Sequence, residues 1–349
     1  MATATLDAFL NSYASADDGI RAAIVETVRQ MARASVRVRD TVNQGALGAA
    51  AGASNGRINA DGDAQKDLDV FADDIFLDAM RHSPVALYAS EELDQPVLLD
   101  SQAPLAIAID PLDGSSNIET NVSIGTIFSI LPALGGAADN PAATFFQPGH
   151  KQLAAGFFIY GPQLALVLSL GSGTHVFCFS TRMGTFVQLH ESRIIPPRTS
   201  EFAINAANYR HWNEAVRLYV DDCLKGSEGP RERDFNMRWI ASLVADTYRI
   251  LMRGGVFCYP ADRRKGYGQG RLRLVYEANP IAFLIEQAGG SATDCVDRIL
   301  DLVPEDLHQR VPLCFGSRKE VERIGRYHTE PSSIGERHPL FGNRGLFRA

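Results

Sequence analysis

Several kinds of sequence signal are scarce in this chain. Lys and Arg number 34 against 41 Asp and Glu, so the formal net charge is -7 and the pI about 5.6. This balance excludes the basic surface of a nucleic-acid-binding protein. The five cysteines are odd in number and never form a CxxC pair, so neither a disulfide framework nor a zinc site is predicted. No apolar run approaches ~20 residues, and we expect a cytoplasmic protein without a membrane partner.

The composition that remains is that of an ordinary globular protein. The chain has 349 residues and a mass of 38.0 kDa, with 45% hydrophobic and 21% charged residues. This length exceeds that of a single domain of ~150 residues. The Pro196-Pro197 step is the best boundary between two α/β domains, predicted at 1–197 and 198–327. The Gly- and Pro-containing stretch from Gly325 to Ala349 predicts an extended tail, with the tail proper at 328–349.

Hydrophobic periodicity predicts the main elements. Helical spacing runs from Asp18 to Val38 and from Lys66 to Met80, and the Gly- and Ala-rich segment Asn43–Asp63 between them predicts a mobile loop. Strands and further elements are predicted at Val85–Tyr88, Pro104–Ile109, Leu164–Leu170, Thr174–Phe179, Gly184–Leu189, Phe202–Ala206, Trp239–Met252 and Val256–Tyr259, with a hairpin turn at Gly171-Ser172-Gly173.

The run Asp110-Pro111-Leu112-Asp113-Gly114-Ser115-Ser116 follows an apolar strand. A sharp turn at Pro111 would point both carboxylates into the crevice at the carboxyl end of that strand. The backbone N–H groups of Gly114, Ser115 and Ser116 would form a cradle for a phosphate. Carboxylates beside a phosphate repel it unless cations lie between them, so the run indicates bound metal. The alternative is an ordinary surface turn.

Other acidic residues occupy similar positions, at strand ends and helix starts. They are Asp63, Asp69, Glu91, Glu92 and Glu277, which with the first two make seven carboxylates. Each has an ordinary interpretation as well: a solvated turn for the Glu91-Glu92 pair, compensation of a helix dipole for Asp63 and Asp69, and a rim position for Glu277. Taken together, so many oxygen ligands favour a hard cation such as Mg²⁺ over zinc.

A second set is basic and aromatic. It comprises Asn205, Asn208, Arg238, Trp239, Tyr259, Arg271 and Arg273. Arginine binds phosphate with two hydrogen bonds, and amide or aromatic groups hold a sugar. The alternative for Arg271-Leu272-Arg273 is the outward face of a strand. No GxGxxG or P-loop motif accompanies either set.

These motifs together resemble class I fructose-1,6-bisphosphatase, over about Asp18 to Tyr327. The Asp-Pro-Leu-Asp-Gly-Ser core is shared with the wider lithium-sensitive, magnesium-dependent sugar phosphatase superfamily. Two further motifs favour the fructose-1,6-bisphosphatase family within that superfamily, namely Leu274-Val275-Tyr276-Glu277-Ala278-Asn279-Pro280 and Ala288-Gly289-Gly290. Inositol monophosphatases carry a Trp-Asp motif in the corresponding place. It implies a layered α-β-α-β-α fold in two domains.

The resemblance also implies roles for the residues. Glu91, Asp110, Asp113, Glu277 and the Leu112 carbonyl would hold two to three Mg²⁺ ions, or Mn²⁺, with Asp63 joining when its loop closes. Glu92 and Asp69 would activate the attacking water. Gly114, Ser115, Ser116 and Arg273 would hold the 1-phosphate, and Asn205, Asn208, Trp239, Tyr259 and Arg271 the sugar and the 6-phosphate. Arg238 would serve a neighbouring subunit of a homotetramer.

The expected reaction is hydrolysis of the 1-phosphate of D-fructose 1,6-bisphosphate, in gluconeogenesis or the Calvin cycle. Sedoheptulose-1,7-bisphosphatase activity, alone or as a second specificity, is the alternative within enzymes, since one more sugar carbon is a small change for a phosphate-anchored pocket. A non-catalytic sugar-phosphate sensor is the alternative outside them. The animal-type AMP site is not matched, because Ala16-Asp17-Asp18-Gly19 and Pro104-Leu105 stand at its positions.

Overall fold

The structure is a computed structural model of the chain, and it describes residues 4–14, 18–44, 64–136 and 139–330, without the side chains of 64–67. Among these residues no helix is long and apolar enough to cross a membrane. The seven α-helices of the described part are α1 Leu6–Tyr13, α2 Gly19–Val42, α3 Ala64–Arg81, α4 Glu214–Leu224, α5 Leu243–Arg253, α6 Asn279–Gln287 and α7 Arg318–Thr329.

The first sheet has eight strands in the order β2-β1-β3-β4-β5-β6-β7-β8. Only the β1–β3 pair is parallel; the other neighbours are antiparallel. The strands are β1 Val85–Ser90, β2 Val97–Leu98, β3 Leu105–Asp113, β4 Ile124–Pro132, β5 Ala154–Tyr160, β6 Leu164–Ser169, β7 His175–Ser180 and β8 Thr185–His190. The predicted hairpin across Gly171-Ser172-Gly173 is confirmed as β6–β7.

The second sheet has five strands in the order β10-β9-β11-β15-β13, and a separate ribbon joins β12 to β14. Their bounds are β9 Glu201–Ala203, β10 Asn236–Met237, β11 Val256–Tyr259, β12 Leu272–Arg273, β13 Ser291–Thr293, β14 Arg310–Val311 and β15 Leu313–Gly316. Both sheets combine with helices, so the mixed α/β fold predicted from the sequence is confirmed.

The buried side chains divide the molecule into layers. Strand residues alternate between faces: Phe158 of β5 packs with α1, α2 and α3, whereas Phe157 of the same strand packs with α5 and α6. The α5–α6 layer is covered on its other side by Phe257 and Phe315 of the second sheet. The opposite face of that sheet packs against α4 and α7. The order of layers is therefore α-β-α-β-α.

Two predictions about the backbone are wrong. The sharp turn expected at Pro111 is absent, because β3 continues to Asp113 with a shift of register against β4 between Asp110 and Asp113. An irregularity of this kind tolerates proline, which has no N–H to donate. The extended stretch predicted from Gly325 is also wrong at its start, since α7 runs to Thr329. The predicted domain division at 197 stays a prediction, and residues 331–349 lie outside the described part.

The helix predictions were close. Helix α2 begins one residue after Asp18, whose carboxylate accepts hydrogen bonds from the N–H groups of Ile20 and Arg21, both at 3.1 Å. Helix α3 begins at Ala64, two residues before the predicted start, and ends at Arg81, one residue after the predicted end. Helix α1 was not predicted. The segment expected to be a mobile loop lies outside the described residues from 45 to 63.

Candidate active site

Three carboxylates meet at the carboxyl end of β3. Asp110, Asp113 and Glu277 each place a carboxylate oxygen within 4.8 Å of the others. Their side chains are buried, with exposures of 6%, 8% and 7%. The burial excludes the surface-turn interpretation for the aspartates and the rim interpretation for Glu277.

The irregular end of β3 separates the two aspartates and turns both toward the cluster. The N–H of Leu112 donates to Asp110 Oδ1 at 3.1 Å, and the Thr126 hydroxyl donates to the Pro111 carbonyl at 2.8 Å. These bonds satisfy backbone groups that the shifted register leaves without a partner in the sheet. The short spacing Asp-x-x-Asp is therefore held by contacts within β3 and by its neighbour β4.

The N-terminus of α5 fixes Asp113. Its carboxylate Oδ2 accepts a hydrogen bond from the N–H of Val244 at 3.0 Å, in the first turn of the helix, where the helix dipole favours an anion. Gly125 of β4, paired with Asp113, makes room for this approach. A β-carbon at Gly125 would lie 2.7 Å from a methyl group of Val244.

Glu277 reaches the cluster from a π-helical turn at Leu274–Ala278 that leads directly into α6. Its Oε2 accepts a hydrogen bond from the Arg273 N–H at 2.5 Å. Turns of this type are frequent at functional sites because the extra residue redirects a side chain. Helical spacing alone gives no indication of that redirection.

Glu91 and Arg273 form an ion pair beside the cluster. Glu91 follows β1, and its N–H donates to the Ile109 carbonyl of β3 at 3.0 Å, which ties the two strand ends together. The Nε atom of Arg273 is buried and has no hydrogen-bond partner within the described part of the chain. That N–H is available to an anion.

The electrostatics of the cluster are those of buried acids crowded together, with Arg273 as a neighbouring positive charge. Burial raises the pKa of Asp110 well above its ordinary value, and the charges of Glu91, Asp113 and Glu277 raise it further. Burial raises the pKa of Asp113 to about 7, although the hydrogen bond from Val244 opposes the rise. Burial and then Glu91 raise the pKa of Glu277 well above its ordinary value.

These residues fit a divalent metal site. All of the donors are oxygen, and the carboxylates are within coordination reach of one another. A bound cation would offset the burial and the mutual repulsion that raise the pKa values of Asp110 and Glu277. An all-carboxylate set suits Mg²⁺ or Mn²⁺ and not zinc, which prefers nitrogen and sulfur.

The predicted phosphate cradle follows the acids directly. Gly114 has φ +76°, a left-handed conformation that favours glycine, and it leads into a short 3₁₀ turn at Ser115–Asn117. The Asn117 side chain donates to the Ala241 carbonyl at 2.8 Å, which brings the segment before α5 alongside. Helix α3, which carries Asp69, packs against the same turn. Ser115 is half-buried and Ser116 exposed.

The predicted proton-transfer residues are only partly described. Asp69 is half-buried on α3, and Glu92 is exposed, with its N–H donating to Ser90 Oγ at 3.2 Å. Asp63 lies outside the described residues.

Asp73, one helical turn after Asp69, was not predicted from the sequence. It is buried and accepts a hydrogen bond from the Tyr88 hydroxyl at 2.6 Å. A contact between residues so distant in sequence leaves no local signal.

The predicted sugar-binding residues form a second group. Trp239 stacks on Phe257 with ring centroids 5.4 Å apart and planes 13° apart, and its ring also meets that of Tyr259 at 6.0 Å. Asn205, Asn208 and Tyr259 line one small depression together. Arg271 is exposed and lies immediately before β12, two residues before Arg273. It is therefore close along the chain to the arginine that pairs with Glu91.

Comparison with known proteins decides the family. The model of the fructose-1-6-bisphosphatase N-terminal domain matches residues 6–191, and that of the C-terminal domain matches 195–329. The chain belongs to the fructose-1,6-bisphosphatase class 1 family. It is 67% identical to the fructose-1,6-bisphosphatase class 1 of Rhizobium meliloti (strain 1021) over the full length of both chains, and 54% identical to that of Azorhizobium caulinodans over 94% of this chain and 100% of the relative.

Solved structures agree with this assignment to the fructose-1,6-bisphosphatase family. The Leishmania major fructose-1,6-bisphosphatase in holo form is 31% identical, with a TM-score of 0.82 over 93% of this chain and 99% of that one. The same enzyme in the T-state is 30% identical, with a TM-score of 0.82 over 94% and 99%. The family is metal-dependent, in keeping with the acid cluster.

One further residue supports the segment before α5. Asp246 on α5 is fully buried, and its carboxylate accepts hydrogen bonds from the N–H of Ile240 at 3.1 Å and from Arg249 at 3.2 Å. It therefore supports the segment that carries Arg238 and Trp239. These contacts are visible only in the folded protein.

Proposed function

We propose that this chain hydrolyses the 1-phosphate of D-fructose 1,6-bisphosphate, giving D-fructose 6-phosphate and phosphate. The observation that carries the proposal is the convergence of buried carboxylates with a phosphate-sized backbone turn and an arginine whose Nε is unsatisfied. The reaction would serve gluconeogenesis or the Calvin cycle, in the cytoplasm. The names of the relatives support the choice of sugar.

Asp110, Asp113, Glu91, Glu277 and the Leu112 carbonyl would hold two to three Mg²⁺ ions. When bound, the metal supplies electrophilic activation of the phosphoryl group and of water. Binding is favoured because it replaces like-charge repulsion among acids that burial already disfavours as anions.

The rest of the site would bind and orient the substrate. The N–H groups of Gly114, Ser115 and Ser116 would donate to oxygens of the 1-phosphate, and the Arg273 guanidinium would neutralise charge on the same group. Glu92 and Asp69 would accept a proton from the attacking water. As the water oxygen bonds to phosphorus, the bond from phosphorus to the sugar oxygen breaks, and that oxygen takes up a proton to leave as the sugar hydroxyl. Asn205, Asn208, Trp239, Tyr259 and Arg271 would hold the sugar and its 6-phosphate.

The proposal is tested by phosphate release from a panel of sugar phosphates with Mg²⁺, with Mn²⁺ and after metal removal. We expect fructose 1,6-bisphosphate to have the highest kcat/KM and activity to require the metal. A higher kcat/KM for sedoheptulose 1,7-bisphosphate would assign that sugar instead. Tight bisphosphate binding without any turnover would indicate a sensor and refute the catalytic proposal.

We also propose that the enzyme is a homotetramer in which Arg238 serves the site of a neighbouring subunit. Arg238 is half-exposed at the edge strand β10, and its one ion pair within the described residues is long, 3.9 Å from Glu201. Mixed oligomers test the idea. Subunits carrying Arg238→Ala keep their acids, and subunits carrying Asp113→Ala keep Arg238. Mixing the two should therefore lower the KM of the Arg238→Ala sites toward the wild-type value; an unchanged KM would rule the sharing out.

A further inference from the structure

The loop that joins β11 to β12 connects two residues of the proposed sugar-phosphate site. It begins after Tyr259, at the end of β11, and ends at Arg271, just before β12. The loop is therefore flanked at both ends by residues proposed to hold the sugar and its remote phosphate.

One aromatic ring in this loop carries two guanidinium groups. The centre of the Arg264 guanidinium lies 4.0 Å from the centroid of the Tyr267 ring, and that of Arg271 lies 4.5 Å from the same centroid. Both distances are well within the ~6 Å over which a cation is attracted to an aromatic face. Tyr267 is half-buried, so solvent screens these contacts only in part.

The ring is held in place by the loop itself. The N–H of Asp262 donates to the Tyr267 carbonyl at 3.1 Å, and the Tyr267 N–H donates to the Arg264 carbonyl at 3.0 Å. Asp262 is buried, and each of its carboxylate oxygens accepts from Arg264 Nε at 3.0 Å. Arg264 is thus neutralised and anchored, and it packs on the ring as part of the scaffold.

Arg271 differs from Arg264 in its charge balance. Within the described part of the chain no carboxylate forms an ion pair with Arg271, so its charge is left available for an anion. Gly270, immediately before it, has φ +79°, and a β-carbon there would lie 2.4 Å from the backbone of Val311 and Pro312. The position of Arg271 is therefore set on one side by the close approach of Gly270 to β14 and on the other by the Tyr267 ring.

We propose that Tyr267 is a positioning residue that pre-orients Arg271 for the phosphate remote from the scissile bond, with the Asp262–Arg264 pair holding the ring in place. This inference rests on the proposed function. Fixing the guanidinium before the substrate arrives removes part of the side-chain ordering that binding otherwise requires. Tyr267 then contributes to affinity for the sugar bisphosphate without touching it.

The test compares Tyr267→Leu with Tyr267→Phe, which keeps the ring, and with Arg263→Gln, which removes an exposed neighbouring charge of the same loop. For Tyr267→Leu we expect the KM of fructose 1,6-bisphosphate and the Ki of fructose 6-phosphate to rise about two- to fivefold. The kcat and the Ki of inorganic phosphate, which lacks the sugar, should stay unchanged. Tyr267→Phe and Arg263→Gln should both stay near the wild type.

A double-mutant cycle separates positioning from a structural effect. In an Arg271→Gln background, Tyr267→Leu should cause no further rise in the Ki of fructose 6-phosphate. Equal effects of Tyr267→Leu with and without Arg271, or an effect no larger than that of Arg263→Gln, would overturn the inference. A wild-type enzyme that neither hydrolyses the bisphosphate nor binds fructose 6-phosphate would instead refute the proposed function. Thermal unfolding of each variant identifies any that fails to fold.

Discussion

Replacing Asp113 by Asn is expected to stabilise the metal-free protein at alkaline pH. Burial raises the pKa of Asp113 to about 7 in the folded protein, whereas an aspartate in an unfolded chain has a pKa of ~3.9. At ~1.4 kcal/mol per pH unit, the gap makes the ionised carboxylate cost on the order of 4 kcal/mol of folding free energy. Asn has the same shape and stays neutral, and its Oδ1 still accepts the hydrogen bond from Val244.

The sign of the pH dependence follows from the same two pKa values. Between about pH 4 and pH 7 the folded protein keeps a proton on Asp113 that the unfolded chain has already released. Metal-free wild-type protein should therefore lose stability as the pH rises through this window, and Asp113→Asn should lose less. Mg²⁺ should narrow the difference in stability, since it stabilises the wild type by ~2.7 kcal/mol at 100 times its Kd and the variant far less.

The measurement is thermal and urea-induced unfolding at pH 5.5, 7.0 and 8.5 (~1.5 pH units apart, covering the upper half of the window and the range above it), with chelator or with excess Mg²⁺. Glu191→Gln is the matched control because it removes an exposed carboxylate outside the acid cluster. A metal-free Asp113→Asn protein that is less stable than the wild type at the highest pH would refute the reasoning. So would a variant that Mg²⁺ stabilises as much as it does the wild type.

Three further substitutions test other parts of the structure. Glu277→Gln should lower kcat/KM by about two orders of magnitude or more and weaken stabilisation by Mg²⁺, as measured by phosphate release and thermal unfolding. Gly270→Ala should reduce the free energy of unfolding by about 1–3 kcal/mol or more, because φ is +79° and a β-carbon meets backbone at 2.4 Å, whereas Gly268→Ala, with open space around it, should change it little. Arg231→Gln should cost about 3–5 kcal/mol in urea unfolding, since it leaves Glu320 buried without the partner now at 2.7 Å; a loss below about 1 kcal/mol would contradict this.

The acids of the site were predictable where the information is local. Asp110 and Asp113 follow an apolar run, and Gly114 after them allows a left-handed turn, so strand, ligands and cradle are all encoded within a few residues. The helix start at Asp18 was equally local, because a capping side chain lies next to the N–H groups that it accepts from.

The remaining features depend on contacts between distant segments. The turn expected at Pro111 gives way to a longer strand because Thr126 of the neighbouring strand satisfies the Pro111 carbonyl. Glu277 enters the cluster through a π-helical turn that period-3.6 reasoning does not anticipate. Asp246 likewise joins α5 to the preceding segment through the N–H of Ile240, and the path of that segment depends on tertiary packing. No rule based on neighbouring residues contains these contacts.

The middle helices bear on whether the two halves of the chain can be separated. Every residue of α6 from Asn279 to Ile285 is buried, with Ile127 and Phe157 of the first sheet and Phe315 of the second in the same apolar cluster. A fragment comprising 1–197 would expose its side of that cluster to water and should aggregate rather than fold. Although two family models divide the sequence near residue 193, we therefore expect one cooperative unfolding transition for the two halves together.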